Sequence, residues 1–89
     1  MKKYKVVVGY YPSNNSALKV VEKVNHILSG VRTNLKEKVK EATIITTEDC
    51  YIVLLYETDN FNIADNVFSE CMKHNIYCGI DVSKWKCID

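Results

Sequence analysis

Residues 42–58 constrain the fold more than any other stretch. Two runs rich in Thr, Ile, Val and Tyr, residues 42–47 and 51–58, flank a polar break at Glu48, Asp49 and Cys50. Such residues suit a pleated surface, and a short polar link between two such runs predicts an antiparallel hairpin. Residues 51–56 carry no charge, which predicts a central strand buried on both faces. A small domain covers only one face of a sheet with its own helices. What lies against the other face then becomes the functional question.

The rest of the chain supplies the partners of that hairpin. Residues 3–11 read as a first strand, with Tyr4, Val6, Val8 and Tyr10 directed to the core and Lys5, Val7 and Gly9 away from it. Gly9 and Pro12 mark its exit. Ser13, Asn14 or Asn15 then caps a helix. Leu18, Val21, Val24, Leu28 and Val31 recur at helical spacing, widened by Val20 and Ile27, and Gly30 is the expected stop. Residues 31–41 alternate in charge, with Arg32, Lys36, Lys38 and Lys40 against Glu37 and Glu41. Such a pattern predicts a solvated connector with room for one or two helical turns, and its basic groups make it the alternative docking site for an anionic partner.

After the hairpin, Thr58, Asp59 and Asn60 supply a cap. Phe61, Ala64, Val67, Phe68, Cys71 and Met72 follow at helical spacing to about His74. Asn75 takes the left-handed conformation that ends a helix. Residues 76–82 alternate as a last strand, with Ile76, Cys78, Ile80 and Val82 inward and Tyr77, Gly79 and Asp81 outward. Residues 83–89 form a tail with Trp85 and Cys87.

The order β-α-β-β-α-β resembles the ferredoxin-like split βαβ arrangement. The resemblance spans nearly the whole chain. It implies an α+β domain with a four-stranded antiparallel sheet in the order 4-1-3-2 and both helices on one face. The chain of 89 residues reads as one domain, residues 1–89, with one modest core. This fold hosts many functions, so function must be argued from a site.

On the face away from the helices, the alternation places Lys5, Val7, Gly9, Tyr51, Val53, Leu55, Tyr77, Gly79 and Asp81, with Ile44 or Ile45 according to register. A solvated face reads polar, whereas this one is aliphatic and aromatic at its centre. Val7, Tyr51, Val53, Leu55, Tyr77 and Trp85 are therefore the expected protein interface, most simply in a face-to-face homodimer. Tyr51 and Tyr77 are also where an RNA-binding sheet would stack bases. The segment around Tyr51 lacks the basic-glycine-aromatic signature of such sheets, and 12 basic residues against 11 acidic ones make no field for nucleic acid. Nucleic acid is accordingly not expected as a partner.

Three places in the chain could carry chemistry. The loop of residues 9–16, with Tyr10, Tyr11, Ser13, Asn14, Asn15 and Ser16, leads into a helix N-terminus and is the best small-ligand site. It has neither GK[ST] nor GxGxxG. Acylphosphatases share this element order but use an arginine in this loop, and heavy-metal-binding domains use CxxC there; both are absent. ACT-like regulatory domains share the topology too, and bind small ligands between subunits. Cys71, His74, Cys78 and Cys87 have donor types that suit zinc, but Cys71 and Cys78 fall at core positions and no CxxC knuckle is present, so no metal and no cofactor are expected. Cys50 sits at the hairpin turn with no base assigned to it. No paired acid and base and no Ser-His-Asp set stands out, so an enzyme is not expected.

Sequence alone thus predicts a small cytoplasmic binding protein that acts by contact between proteins, with no apolar run near the roughly 20 residues that span a bilayer. Its lysine-rich, arginine-poor, Asn- and Ile-rich usage fits a phage or mobile-element inhibitor of a host enzyme. The alternative is an oligomer that senses or sequesters a nucleotide or amino acid at the 9–16 loop.

Overall fold

A computed structural model describes residues 3–82. The elements are β1 (Tyr4–Tyr11), α1 (Asn14–Ser29), α2 (Leu35–Lys38), β2 (Thr43–Thr46), β3 (Tyr51–Thr58), α3 (Phe61–Lys73) and β4 (Gly79–Asp81). All strand pairs are antiparallel, and the sheet runs β2-β3-β1-β4, which is 4-1-3-2 read from the β4 edge. The class is α+β, with three helices where two were expected. No helix among the described residues is long and apolar enough to cross a membrane.

Caps hold the helices where the polar residues place them. Ser13 is the N-cap of α1, and its hydroxyl accepts from the Ser16 amide at 3.2 Å. Gly30 closes the helix, its amide donating to the Ile27 and Leu28 carbonyls. Asn60 caps α3 by accepting from the Asn62 and Ile63 amides. Asn75 ends that segment at φ 63°, a left-handed conformation that Asn tolerates. Ser13→Ala should cost about 1 kcal/mol in urea unfolding. Asn14→Ala or Asn15→Ala should stay within about 0.5 kcal/mol, because neither side chain caps the helix.

The core lies on one face of the sheet. Ala17, Val24 and Leu28 of α1, Ala64, Val67 and Cys71 of α3, and Val6, Val53, Leu55 and Ile76 form one buried cluster. Val31, Leu35, Val39 and Ala42 belong to it as well, which corrects the view of residues 31–41 as a solvated connector. Those four residues recur at helix-like spacing beneath the charges and close the open end of the core. Two polar contacts anchor the segment. Lys36 Nζ donates to the Leu28 carbonyl at 3.0 Å, and the Ala42 amide donates to Asn25 Oδ1 at 2.7 Å. A lysine on the last carbonyls of a helix is favoured by the helix dipole, so one charge of the basic segment is used inside the fold. The α1 stripe is also rotated. Ala17 is buried while Leu18 is 42 % exposed.

The pairing of β1 with β3 changes which residues face the helices. Val6 lies opposite Tyr56, Val7 opposite Leu54 and Gly9 opposite Val53. Leu55 is thus an extra residue in β3 and Val8 an extra residue in β1. Each irregularity shifts its strand by one position, and a shift of one moves every later side chain to the other face. The expected outward set is therefore corrected in three places. Tyr51, Val53 and Leu55 face the helices, Val53 and Leu55 within the buried cluster and Tyr51 packed on it. Ile52 and Leu54, expected inward, face the other way. Tyr10, expected in the core, lies on the helix-free face at 51 % exposure, and Tyr11 packs on the core instead. Tyr4, Lys5, Val6 and Tyr56 lie before the slips as read from the Tyr4–Thr58 end of the pair, and they keep their expected sides, as does the extra residue Val8.

Two smaller corrections concern the last strand. Only Gly79–Asp81 pair in β4, and Val82, expected inward, is exposed. Ile76, Cys78 and Ile80 do meet the core.

Candidate functional site

The helix-free face is built from residues that the register places side by side. In β1 these are Lys5, Val7 and Tyr10. Their partners are Glu57, Leu54 and Ile52 in β3, and Asp81 and Gly79 in β4. Ile45 stands opposite Ile52 and Thr43 opposite Leu54 in β2, while Ile44 turns to the core. Val7, Ile52, Leu54 and Ile45 make an aliphatic strip across three strands. Ile52 is 1 % and Val7 4 % exposed, whereas Ile45 and Leu54 are half-buried. Neither Ile52 nor Val7 belongs to the helix-side cluster.

Polar groups frame the strip at one end. Lys5 stands in register between Glu57 and Asp81 and pairs with Glu57 at 3.7 Å. Alternation of charge across adjacent strands is the favourable cross-strand arrangement. The Tyr10 hydroxyl donates to the Asp81 carboxylate, so its ring runs alongside the β1–β4 pair. That pair is short: β4 meets only Lys5, Val6 and Val7. Beyond it the strands part, and a groove of about 570 Å³ opens between Val7, Val8, Gly9, Tyr10 and residues 78–82.

The residues of the 9–16 loop make contacts of their own. Ser13 caps α1 and donates to the Ser16 hydroxyl at 2.9 Å. Tyr10 is tied to Asp81. Tyr11 folds back over Gly9, where a Cβ would lie 2.8 Å from its hydroxyl oxygen. Burial pushes the Tyr11 phenol above its ordinary value. Asn14 and Asn15 are exposed. The six residues proposed for ligand binding are thus split, with Tyr10 on the helix-free face, Tyr11 on the helix side and the rest at the start of α1. Tyr77, 69 % exposed, is set beside Tyr11, Val20 and Ile27, away from the aliphatic strip. Trp85 and Cys87 lie outside the described residues.

The cysteines divide in two. Cys50 is half-buried at the hairpin turn, where Thr47 Oγ1 accepts from its amide at 3.1 Å. Cys71 is buried on the core side of α3, and Cys78 is half-buried before β4 with its Sγ 4.0 Å from the Phe68 carbonyl oxygen. Among the described residues no group of three His, Cys, Asp or Glu side chains is placed to hold a metal ion. A second cleft, between α2 and α3, is bordered by Thr33, Asn34, Lys38, Asn66 and Glu70 over Leu35 and Val67.

Sequence periodicity missed Tyr10, Ile52 and Leu54 as members of the helix-free face. No local signal marks either slip. Gly9 is the only hint, since glycine within a strand often marks a bulge.

No protein-family model, curated protein or solved structure matches the chain.

Proposed function

We propose that this protein is a non-enzymatic binding protein that acts by contact through the helix-free face of its sheet, and that a second copy of the chain covers that face. The arrangement of the major elements and the strand neighbours support reading the fold as ferredoxin-like, with α2 inserted in the α1–β2 connection. The observation that carries the functional reading is the set of partly exposed apolar side chains Ile45, Leu54 and Tyr10, where a solvated sheet would carry polar ones; Val7 and Ile52 between them are already closed to solvent. The charged end of the face is self-complementary: Lys5 and Glu57 on one copy match Glu57 and Lys5 on another about a two-fold axis. The chain is a slab of 35 × 32 × 18 Å, and its broad face is wide enough for the roughly 800 Å² per partner that a stable dimer buries. Occupation of the same face by a different protein, such as an enzyme it inhibits, would be a second use of one surface.

Tyr10 is engaged with Asp81, and Ser13 with Ser16, which favours contact through the sheet over ligand capture at the loop. Leu54→Lys and Ile45→Lys each place a charge on the strip without touching the helix-side core. Either should weaken self-association by roughly tenfold or more, about 1.4 kcal/mol, in sedimentation equilibrium. Dissociation constants equal to that of the unsubstituted protein would refute the assignment of this face.

A further inference from the structure

A cleft on the helix side of the sheet has no part in the contact reading. Val20, Lys23, Val24 and Ile27 stand three and four residues apart in α1 and so share one side of the helix. Across from them are the end of β1, at Val8 and Tyr11, and residues 75–77. Together they border a cleft of about 240 Å³. Val24 and Ile76 are buried, at 4 % and 1 % exposure. Val8, Tyr11, Val20 and Ile27 are half-buried around them, and Tyr77 is exposed. Apolar surface therefore stays in solvent within a concavity, where a small molecule can cover it.

Backbone geometry sets two of the walls. Asn75 is left-handed at φ 63°, and the Ile76 amide donates to the Cys71 carbonyl at 2.9 Å, which fixes the 75–77 segment. Tyr11 lies back over Gly9, whose missing side chain leaves room for the phenol. Walls placed in advance lower the cost of ordering them around a ligand.

The lining also defines the chemistry. Among the described residues Lys23 is the one charged group of the cleft, and it stands within an otherwise apolar side of α1. An ammonium group next to apolar walls favours an anion carried on an apolar body. Tyr11 and Tyr77 favour a flat ring, since aromatic pairs gain from edge and offset contacts beyond the area they bury. Burial keeps the Tyr11 phenol protonated, so that wall brings no negative charge against an anion. The volume lies below the roughly 300–1,000 Å³ of sites for drug-sized ligands. A single ring on a short stem fits it, and a nucleotide does not.

We infer that this cleft binds a monocyclic aromatic carboxylate, with the ring among Tyr11, Tyr77 and Val20 and the carboxylate at Lys23. The binding is reversible and involves no covalent step.

The test uses the full chain and phenylacetate. Amide chemical-shift mapping by NMR should show saturable shifts at Val20, Lys23, Ile27 and residues 75–77, with a dissociation constant of about 1 mM or tighter. Benzyl alcohol keeps the ring without the charge, and acetate keeps the charge without the ring. Each should bind more weakly than phenylacetate. Lys23→Met keeps the apolar stem and removes the ammonium group. It should weaken phenylacetate about three- to fivefold, the size of an exposed ion pair, and leave benzyl alcohol unchanged. Lys23 is exposed, so the variant should fold, which far-UV circular dichroism checks. No shifts in the cleft well above that concentration would overturn the assignment. So would equal affinity for phenylacetate and benzyl alcohol, or shifts confined to the helix-free face. The shifts are read on the helix side, so the result does not depend on whether a second copy covers the other face.

Discussion

Leu28→Ala should lower the unfolding free energy by about 2–5 kcal/mol, the range for truncating a fully buried leucine. Leu28 is 0 % exposed and sits where α1 meets the central strands and the 31–42 segment. The loss combines the transfer of the side chain with a cavity that three elements would have to close together. Small domains are stable by about 5–15 kcal/mol in total, so the variant should unfold at a much lower urea concentration. Leu18→Ala is the internal control. Both leucines fall within the apolar pattern of α1, but Leu18 is largely exposed, and its truncation should stay within about 0.5 kcal/mol. Equal losses at the two positions would show that the helix is rotated from the orientation described above.

Ile52→Ala should cost about 2–4 kcal/mol, and Ile45→Ala less than about 1 kcal/mol. The two residues are directly opposed across β2 and β3 and share the helix-free face. Ile52 lies in the central strand between Ile45 and Tyr10 and is closed to solvent, whereas Ile45 is on the edge strand and half-buried. The comparison reads the phase of β3 directly. If the unbroken alternation held, Ile52 would lie in the helix-side core and Val53 on the far face, and Val53→Lys would be tolerated. With the slip in place, Val53→Lys buries an ammonium group among α1 and α3 with no partner, and the protein should fail to fold. Urea unfolding and far-UV circular dichroism of the three variants separate the two phases.

Much of the architecture is legible in the residues. Ser13, Gly30, Asn60 and Asn75 punctuate the helices through the chemistry of their own side chains or backbone, and such signals are local. The uncharged run of β3 reveals a central strand because no charge could be tolerated on either face. The facing of individual residues is a different matter. It depends on the extra Val8 and Leu55, and these are defined by how β1 and β3 align, a relation between positions some 47 residues apart that neither strand encodes alone. One consequence is that Tyr51, Val53 and Leu55 exchanged places with Ile52 and Leu54, all of them apolar, so the pattern looked equally good in either phase. The 31–42 segment misled for a related reason. Its charges are closely spaced in sequence, but Val31, Leu35, Val39 and Ala42 share one side and are pulled beneath α1 and α3. The candidate face survives these changes as an aliphatic strip, though with different members, because the strand is apolar on both sides.

Another copy of the chain is proposed to cover the helix-free face where Ile45, Leu54 and Tyr10 keep apolar surface in solvent. Size-exclusion chromatography with light scattering on unsubstituted protein, over a range of loading concentrations, tests it most directly. The account predicts a molar mass twice that of the 10.2 kDa chain, falling to the single-chain value for Leu54→Lys. A single-chain mass for the unsubstituted protein at every concentration would contradict it.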